Sequence, residues 1–468
     1  MTTLVSDGAL PPMYTFIFDI GKTNIKGNVL NDQGETVWSE SALNQSIQGP
    51  DYTYIDVENV ETWLLSCLKK AADQFDINAI NITTHGACAV LLDSSGKLAL
   101  PVMDYECEVV ESCNQAYNQI RPDFNQTLSP NLSAGLNLGR QLFWLKQHFA
   151  EQFSQVQAVL MYPQYWVWRL TGKLVNEVTS LGCHTDLWQP EIADYSSLVD
   201  TLNIRHALPA LVNADEVVGK VTPQVANQTG LNTNCQVYAG IHDSNSSFSR
   251  YLGQNNGKPF TVVSTGTWVI SMAMGADIHA LKEEKDMLAN VCVLNQPIAC
   301  ARFMGGREFS QICEQTGAKT SDPISAEDLQ TIVNDKIFAL PAFSAGSGPF
   351  VGKQSKITAQ PHNGNALATL YLALMIDHEL TLLNAKGDII FGSTSKKNPL
   401  MCRLIAQLRP EQNVVLSGDS ASTVKGAWVM TKWQQWQDQP QTNIEIAEPA
   451  GIENLEDYKA LWLAAAQA

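Results

Sequence analysis

The chain has 468 residues, 45% of them apolar, and 30 basic against 47 acidic side chains give it a formal net charge of −17. Nucleic-acid binding runs on basic patches, so this balance excludes a nucleic-acid partner, and any anionic ligand must be held by a local site against the overall field. No apolar stretch approaches the roughly 18–20 residues of a membrane span.

The stretch from Met1 to Pro12 has neither the positive charge nor the apolar run of a signal peptide. No membrane partner and a cytoplasmic location are therefore expected. Ten cysteines are scattered from Cys67 to Cys402 without a CxxC pair, which reads as reduced thiols. The length suggests two or three domains.

In chain order, Tyr14 to Ile20 reads as a buried strand, Gly21-Lys22-Thr23-Asn24 as a turn, Ile25 to Leu30 as the returning strand and Glu35 to Ser39 as the start of a third. Gly-Lys-Thr suggests a P-loop, but Phe16 stands where that motif needs a glycine, and a hairpin follows in place of a helix. A Walker A loop is excluded. The residue types still suit phosphate, with Asp19 placed to hold a hydrated Mg²⁺, and an ordinary solvated hairpin turn is the alternative.

Val57 to Phe75 has the apolar spacing of an amphipathic helix, and Ala79 to Thr83 reads as a strand. The loop Thr84 to Cys88, at the carboxyl end of that strand, carries His85 where open α/β sheets place ligands, although a lone His is more often structural. Asn137 to His148 and the aromatic stretch Pro163 to Gly172 read as helices, the second as core. Cys183-His184 lacks the further ligands of a zinc site.

Gly240-Ile241-His242-Asp243 sets a lone carboxylate after an apolar run and a glycine. Asp243 can serve there as a base or as a plain helix N-cap. From Phe260 the opening pattern returns: a strand to Ser264, the turn Thr265-Gly266-Thr267 and a strand from Trp268. Two hydroxyl-bearing glycine turns half a chain apart suggest two similar α/β domains. The long variable region Lys282 to Pro361 includes Arg302 to Arg307 and the glycine-rich Ser344 to Gly348, which either approach a ligand or turn the chain, turns being favoured. Ala366 to Leu383 is an apolar helix, and Asp388 to Phe391 a strand that leads into the polar loop Gly392 to Asn398. Pro399 opens a helix. Val414 to Leu416 is a strand followed by Gly418 to Thr423 and a small-residue helix, an arrangement suited to a nucleotide's phosphate or ribose.

The set FDIGKTN, TTHGACAVLLD, RQLFWLKQH, YWVWRLTGKLVNEVT, GIHDSNSS, STGTW, FGSTSKKNPLM and SGDSASTVKGA resembles the FGGY carbohydrate kinases, in the family's order and over nearly the whole chain. GIHD followed by STGTW is most similar to the L-rhamnulokinase branch. The resemblance implies an α/β fold of two similar actin-like (ribonuclease H-like) ATPase domains flanking a central cleft. Residues 1–246 would bind the sugar and 247–468 the nucleotide.

The activity implied is ATP-dependent transfer of the γ-phosphoryl to a hydroxyl of a small sugar, a ketose or deoxyketose such as L-rhamnulose or L-fuculose. Asp243 would be the base, and Asp19 would orient Mg²⁺ through water. Lys22, Thr23 and Asn24 would line the first phosphate loop, and Thr265, Gly266 and Thr267 the second. Gly392, Ser393, Lys396 and Asn398 would lie against the nucleotide, and His85, Glu106 and His242 on the substrate.

The nucleotide loop departs from the family in having Gly392-Ser393-Thr394, and the substrate loop in having His85 and Cys88 in place of Trp and Asp, with Glu106 where an Asp is more usual. A kinase for another polyol or sugar acid, or a regulatory actin-like ATPase, is the alternative. A homodimer is left open. A hinge near residues 245–260 is expected to close the cleft.

Overall fold

The structure is a computed structural model that describes residues 13–255, 257–392, 398–418, 422–437, 439 and 444–468. It is built on two seven-stranded sheets whose topologies repeat. In the first half, β1 (Tyr14–Ile20), β2 (Asn24–Leu30) and β3 (Thr36–Leu43) form an antiparallel meander. Helix α1 (Val57–Ala72) leads to β4 (Ile77–Thr84), which lies parallel to β1. Helices α2 (Leu138–His148) and α3 (Tyr162–Thr171) precede β5 (Val217–Lys220), β6 (Gln236–Tyr238) and the two-residue β7 (Ile241–His242). Helix α4 (Asp243–Leu252) follows at once. The strand order is β5-β6-β4-β1-β2-β3, with β7 also parallel to β4.

The second half begins with β8 (Phe260–Thr265) and β9 (Val269–Met274), then β10 (Met287–Val291) and β11 (Pro297–Phe303). Helices α5 (Gly305–Thr316), α6 (Ala326–Asp335) and α7 (Gly364–Leu382) lead to β12 (Asp388–Phe391). Helix α8 (Pro399–Leu408), β13 (Val414–Ser417), α9 (Ser422–Thr431) and β14 (Ile444–Ile446) complete it. The order is β10-β11-β9-β8-β12-β13-β14, so β8 pairs antiparallel with β9 and parallel with β12, as β1 does with β2 and β4. The expected duplication is present, and the fold is the actin-like α/β arrangement.

The central strands are apolar on both faces: Phe16, Ile17 and Phe18 are fully buried. Asp56 caps α1, accepting from the Asn59 N–H at 3.1 Å, and Val57, Val60, Leu64, Cys67, Leu68 and Ala71 form its buried stripe. α7 is buried around most of its circumference and sits in the second core. All ten cysteines are buried and free.

Of the two stretches favoured as turns, Ser344 to Gly348 is irregular, while Arg302 to Arg307 spans the end of β11 and the start of α5. The region Lys282 to Pro361 also holds β10 and α6. The two strands are buried on both faces, so their side chains do not alternate and the period-two signal is missing. The segment read as a hinge is helical as far as Leu252.

The halves meet through α4 and α9. A Cβ on Gly426 would lie 1.6 Å from the Ser246 carbonyl oxygen, so the two backbones touch where glycine alone fits. Ser246 Oγ donates to the Thr423 carbonyl at 2.7 Å. Asn81, fully buried on β4, donates its amide to the Ala427 carbonyl of α9 at 2.8 Å and accepts from the Gly240 N–H at 3.1 Å. A second contact joins the Ala289 N–H of β10 to the Leu128 carbonyl at 2.9 Å, beside Gly182, whose Cβ would meet Val291 at 2.4 Å. Overpacking a tight contact costs about 1–3 kcal/mol and at times more. Gly426→Ala should lower the unfolding free energy by that amount, seen as a lower urea midpoint, and an unchanged midpoint would disprove the close approach.

Candidate active site

Strand register assembles the first half of the site. Asp19 of β1 lies beside Thr83 of β4, which lies beside Ile241 of β7. One step on, Ile20, Thr84 and His242 are level. The next residues, Gly21, His85 and Asp243, therefore leave the sheet together at its carboxyl edge, where open α/β sheets bind ligands. The His85 N–H donates to the Ile20 carbonyl at 3.1 Å, which ties the loop to β1.

Asp243 is the first residue of α4, and His242 occupies the cap position. The carboxylate is therefore not an N-cap. Its Oδ1 accepts from the Ser244 N–H at 2.5 Å and from the Ser244 hydroxyl at 3.2 Å, with His242 Nε2 also 3.2 Å away. Among the described residues no donor reaches Oδ2, and the side chain is about one-third exposed. Asp19 is pushed up to about 6, first by burial and then by the Asp243 charge, while Lys26, its cross-strand partner, opposes the rise.

His85 is buried. Its Nδ1–H donates to the Gly86 carbonyl at 2.9 Å, and among the described residues its Nε2 has no partner. Burial holds its pKa down, so the ring is neutral and Nε2 is a bare acceptor. Tyr105 and Tyr162 pack on it, with centroids 5.3 and 5.1 Å away. Ala87 follows in the left-handed region at φ 53°, and Gln141 of α2 donates to its carbonyl at 2.8 Å, which holds the loop.

Lys22 leaves the glycine turn toward this side. Its ammonium pairs with Asp104, donates to Ser46 Oγ at 3.1 Å and lies 3.5 Å from Glu106 Oε2. The buried carboxylate of the substrate loop is Asp104, 4% exposed, while the expected Glu106 is 67% exposed. Burial pushes Asp104 up, but Lys22, Ser46 and the Glu106 N–H outweigh it and hold the carboxyl below its usual range. Thr23 and Asn24 are exposed on the turn, which is closed by the Gly21 N–H donating to the Asn24 carbonyl at 2.9 Å.

The second half repeats this edge. β8, β12 and β13 are parallel neighbours, and Thr265-Gly266-Thr267, Gly392 and Gly418 stand at their carboxyl ends. The turn is closed by the Gly266 N–H donating to the Trp268 carbonyl at 2.9 Å, with Gly266 and Thr267 exposed. Gly306, near the N-terminus of α5, donates its N–H to the Thr267 carbonyl at 3.2 Å, and a Cβ there would lie 2.1 Å from the Gly266 oxygen. A helix N-terminus thus backs the turn, an arrangement that favours phosphate.

Asn398 caps α8, accepting from the Met401 N–H at 3.2 Å, and its amide donates to Thr369 at 3.0 Å, so both of its polar atoms are engaged. Ser393 and Lys396 lie outside the described residues.

Asp104, Asn81, Thr179, Asn245 and Gly306 were not singled out from the sequence. Asp104 carries the same signal as Asp243, a lone carboxylate ending the run Leu98 to Met103. Asn81 stands out as a polar residue inside an apolar strand. Thr179 and Gly306 have no local signature, because His242 and Thr267 lie far from them in sequence, and Asn245 reads only as a polar residue in the first turn of a helix.

Two matched sheets, each with a glycine turn at the carboxyl end of a central strand, define an actin-like two-domain α/β protein. The model of the N-terminal domain of the FGGY family of carbohydrate kinases matches residues 14–248, and that of the FGGY C-terminal domain residues 257–440. The chain belongs to the FGGY family of carbohydrate kinases.

The crystal structure of a carbohydrate kinase from Novosphingobium aromaticivorans is similar with a TM-score of 0.91 at 31% identity, over 98% of this chain and 99% of that one. Gluconate kinase from Lactobacillus acidophilus shares the fold at a TM-score of 0.80 and 16% identity, over 97% and 98% of the two chains. The L-fuculokinase of Salmonella typhi is 26% identical over 276 residues, 56% of this chain and 57% of its own length. The match thus spans little more than half the length of that curated relative.

Asp19 ionises at about 6 when folded against 3.8 when unfolded, so the stability it contributes is full below 3.8 and is lost as pH rises through about 6. At 1.36 kcal/mol per pKa unit this amounts to about 3 kcal/mol. Asp19→Asn should therefore exceed the parent in stability by up to that amount near pH 8 without ligands, and match it near pH 3. Urea titrations at the two pH values check this. An equal difference at both would refute the assigned cause.

Proposed function

We propose that the chain transfers the γ-phosphoryl group of ATP to a hydroxyl of a small sugar, with a ketose or deoxyketose of the L-fuculose or L-rhamnulose kind as acceptor. The observation that carries this reading is the convergence of Asp19, His85 and Asp243 at one sheet edge, with Asp243 Oδ2 left free of donors among the described residues. Residues 1–246 bind the sugar and 247–468 the nucleotide. Asp243 Oδ2 accepts the proton of the attacking hydroxyl as the phosphoryl group arrives. His85 Nε2 accepts a hydrogen bond from a second hydroxyl, and the Lys22–Asp104 pair presents both a donor and an acceptor to the sugar. The name of the L-fuculokinase relative supports a 6-deoxyketose.

The turns Gly21-Lys22-Thr23-Asn24 and Thr265-Gly266-Thr267 offer N–H groups and hydroxyls to the transferring phosphates. Gly392 borders the nucleotide. Among the described residues no three His, Cys, Asp or Glu side chains cluster as a metal cage. Two neighbouring carboxylates with a single basic neighbour suit Mg²⁺ that arrives on ATP and is held through water by Asp19. When bound, Mg²⁺ neutralises phosphate charge.

Turnover should be tested in a coupled ADP-release assay over ketoses, aldoses, polyols and sugar acids. One sugar should stimulate release. Asp243→Asn should lose about 10²–10⁴-fold in kcat, with ATP binding unchanged by calorimetry. Full turnover in Asp243→Asn would remove it as the base, and silence across the panel with ATP still bound would favour a regulatory ATPase.

A further inference from the structure

We propose that His242 is a positioning residue for Asp243, and that Asn245 fixes the tautomer that lets it act. The proposal rests on the reading of Asp243 as the base. His242 is 5% exposed, and burial lowers its pKa against the pull of Asp243, so the ring is neutral and carries one proton. Which nitrogen holds that proton follows from the neighbours. Asn245, one turn along α4, brings its amide nitrogen to 3.2 Å from His242 Nδ1 and to 3.4 Å from the Thr179 carbonyl oxygen. A carbonyl can only accept, so the Asn245 amide must present its NH₂ group on that side. The same NH₂ faces Nδ1, which therefore accepts, and the ring proton lies on Nε2.

Nε2–H is 3.2 Å from Asp243 Oδ1 and donates to it. Cys183 Sγ, 3.9 Å from Nε2, cannot reverse this. A thiol donating to Nε2 would force the proton onto Nδ1, against the Asn245 NH₂. Oδ1 then takes donors from His242, the Ser244 N–H and the Ser244 hydroxyl, and the carboxylate is held by one oxygen while the other stays open.

The shell extends one step further. Thr179 Oγ1 accepts from the His242 N–H at 3.0 Å and donates to Glu177 Oε2 at 2.5 Å. Glu177 is fully buried and burial pushes it up to about 8, so it adds no charge to the network at neutral pH. Gly86 closes the ring on its Nε2 side, where a Cβ would lie 2.9 Å from that atom, so His242 has no room to swing away. The ring is a buried, neutral hydrogen-bond donor fixed on every side.

The test uses the full chain, with ATP and L-fuculose as probes. Histidine-selective ¹⁵N labelling, assigned by loss of signal in His242→Gln, should show the Nε2–H tautomer at His242, and Asn245→Asp should move the proton to Nδ1. His242→Leu and Asn245→Asp should each lower kcat about 10- to 100-fold, with both KM values within about twofold, as expected for a misplaced reacting group. His242→Gln keeps a donor at the Nε2 position and should recover kcat to within about threefold.

An Nδ1–H tautomer in the parent protein overturns the proposal. So does an unchanged kcat in His242→Leu, or a loss carried by the sugar KM, which would make His242 a substrate contact. If Asp243→Asn keeps its turnover, the base reading itself fails. If Asp243→Asn is inactive while the His242 and Asn245 variants are not, only the present inference fails. Should ADP release show no response to L-fuculose, the ATP-only hydrolysis rate is read for the same variants with the same expected losses. Should Asn245→Asp not fold, the His242→Leu and His242→Gln pair decides.

Discussion

The contact between α4 and α9 is the constraint on which the rest of the molecule depends. Two helices from different halves can touch backbone to backbone only where one lacks a side chain, and Gly426 against the Ser246 carbonyl meets that condition. The helix that begins with Asp243 is thereby seated on a helix of the other half. Asn81 reinforces the seat from below, since one amide group serves both the Ala427 carbonyl of α9 and the Gly240 N–H before Asp243. The backbone that delivers the carboxylate is held by packing and by a fully buried hydrogen-bonded amide, both of which are costly to break.

The site works against the chain's own field. With a net charge of −17, an ATP-sized polyanion is repelled at long range, and its binding has to come from short-range groups. On the proposed reading the turns supply these as N–H groups and hydroxyls, which add no net charge. Lys22 is already matched with Asp104, and Arg302 with Asp286 at 3.0 Å. Burial and the Asp243 charge push Asp19 up to about 6, a cost to the fold that a cation entering there would offset.

Much of this was legible in the sequence because it is written in local patterns. The strand-turn-strand units around Gly21 and Gly266 repeat, and the repeat predicted the duplicated sheets. Asp243 was legible as a lone carboxylate after a glycine, and His85 by its place at a strand end. What failed to show was decided by contacts between distant residues. Lys22 belongs to a glycine turn in sequence, but in space it answers Asp104, 82 positions away. Asn398 stands in a polar loop in the sequence, and in space it caps the start of α8 and donates to Thr369. β10 and β11 were hidden because burial on both faces erases alternation.

The second contact between the halves, at Leu128 with Ala289 and Gly182 with Val291, has a mechanical meaning. A body pinned at one place can tilt in any direction, whereas one pinned at two separate places can only turn about the line that joins them. The α4–α9 seat and the Leu128–Ala289 junction are two such pins, and Lys425 with the Gln33 and Gly34 carbonyls at 2.9 and 3.0 Å and Arg121 with Glu283 at 3.0 Å tie the halves as well. The short helix Val178–Leu181, which carries Thr179, rests on β10 beside the second pin. The other half of the molecule thus braces, through that short helix, the residue that accepts from the His242 N–H.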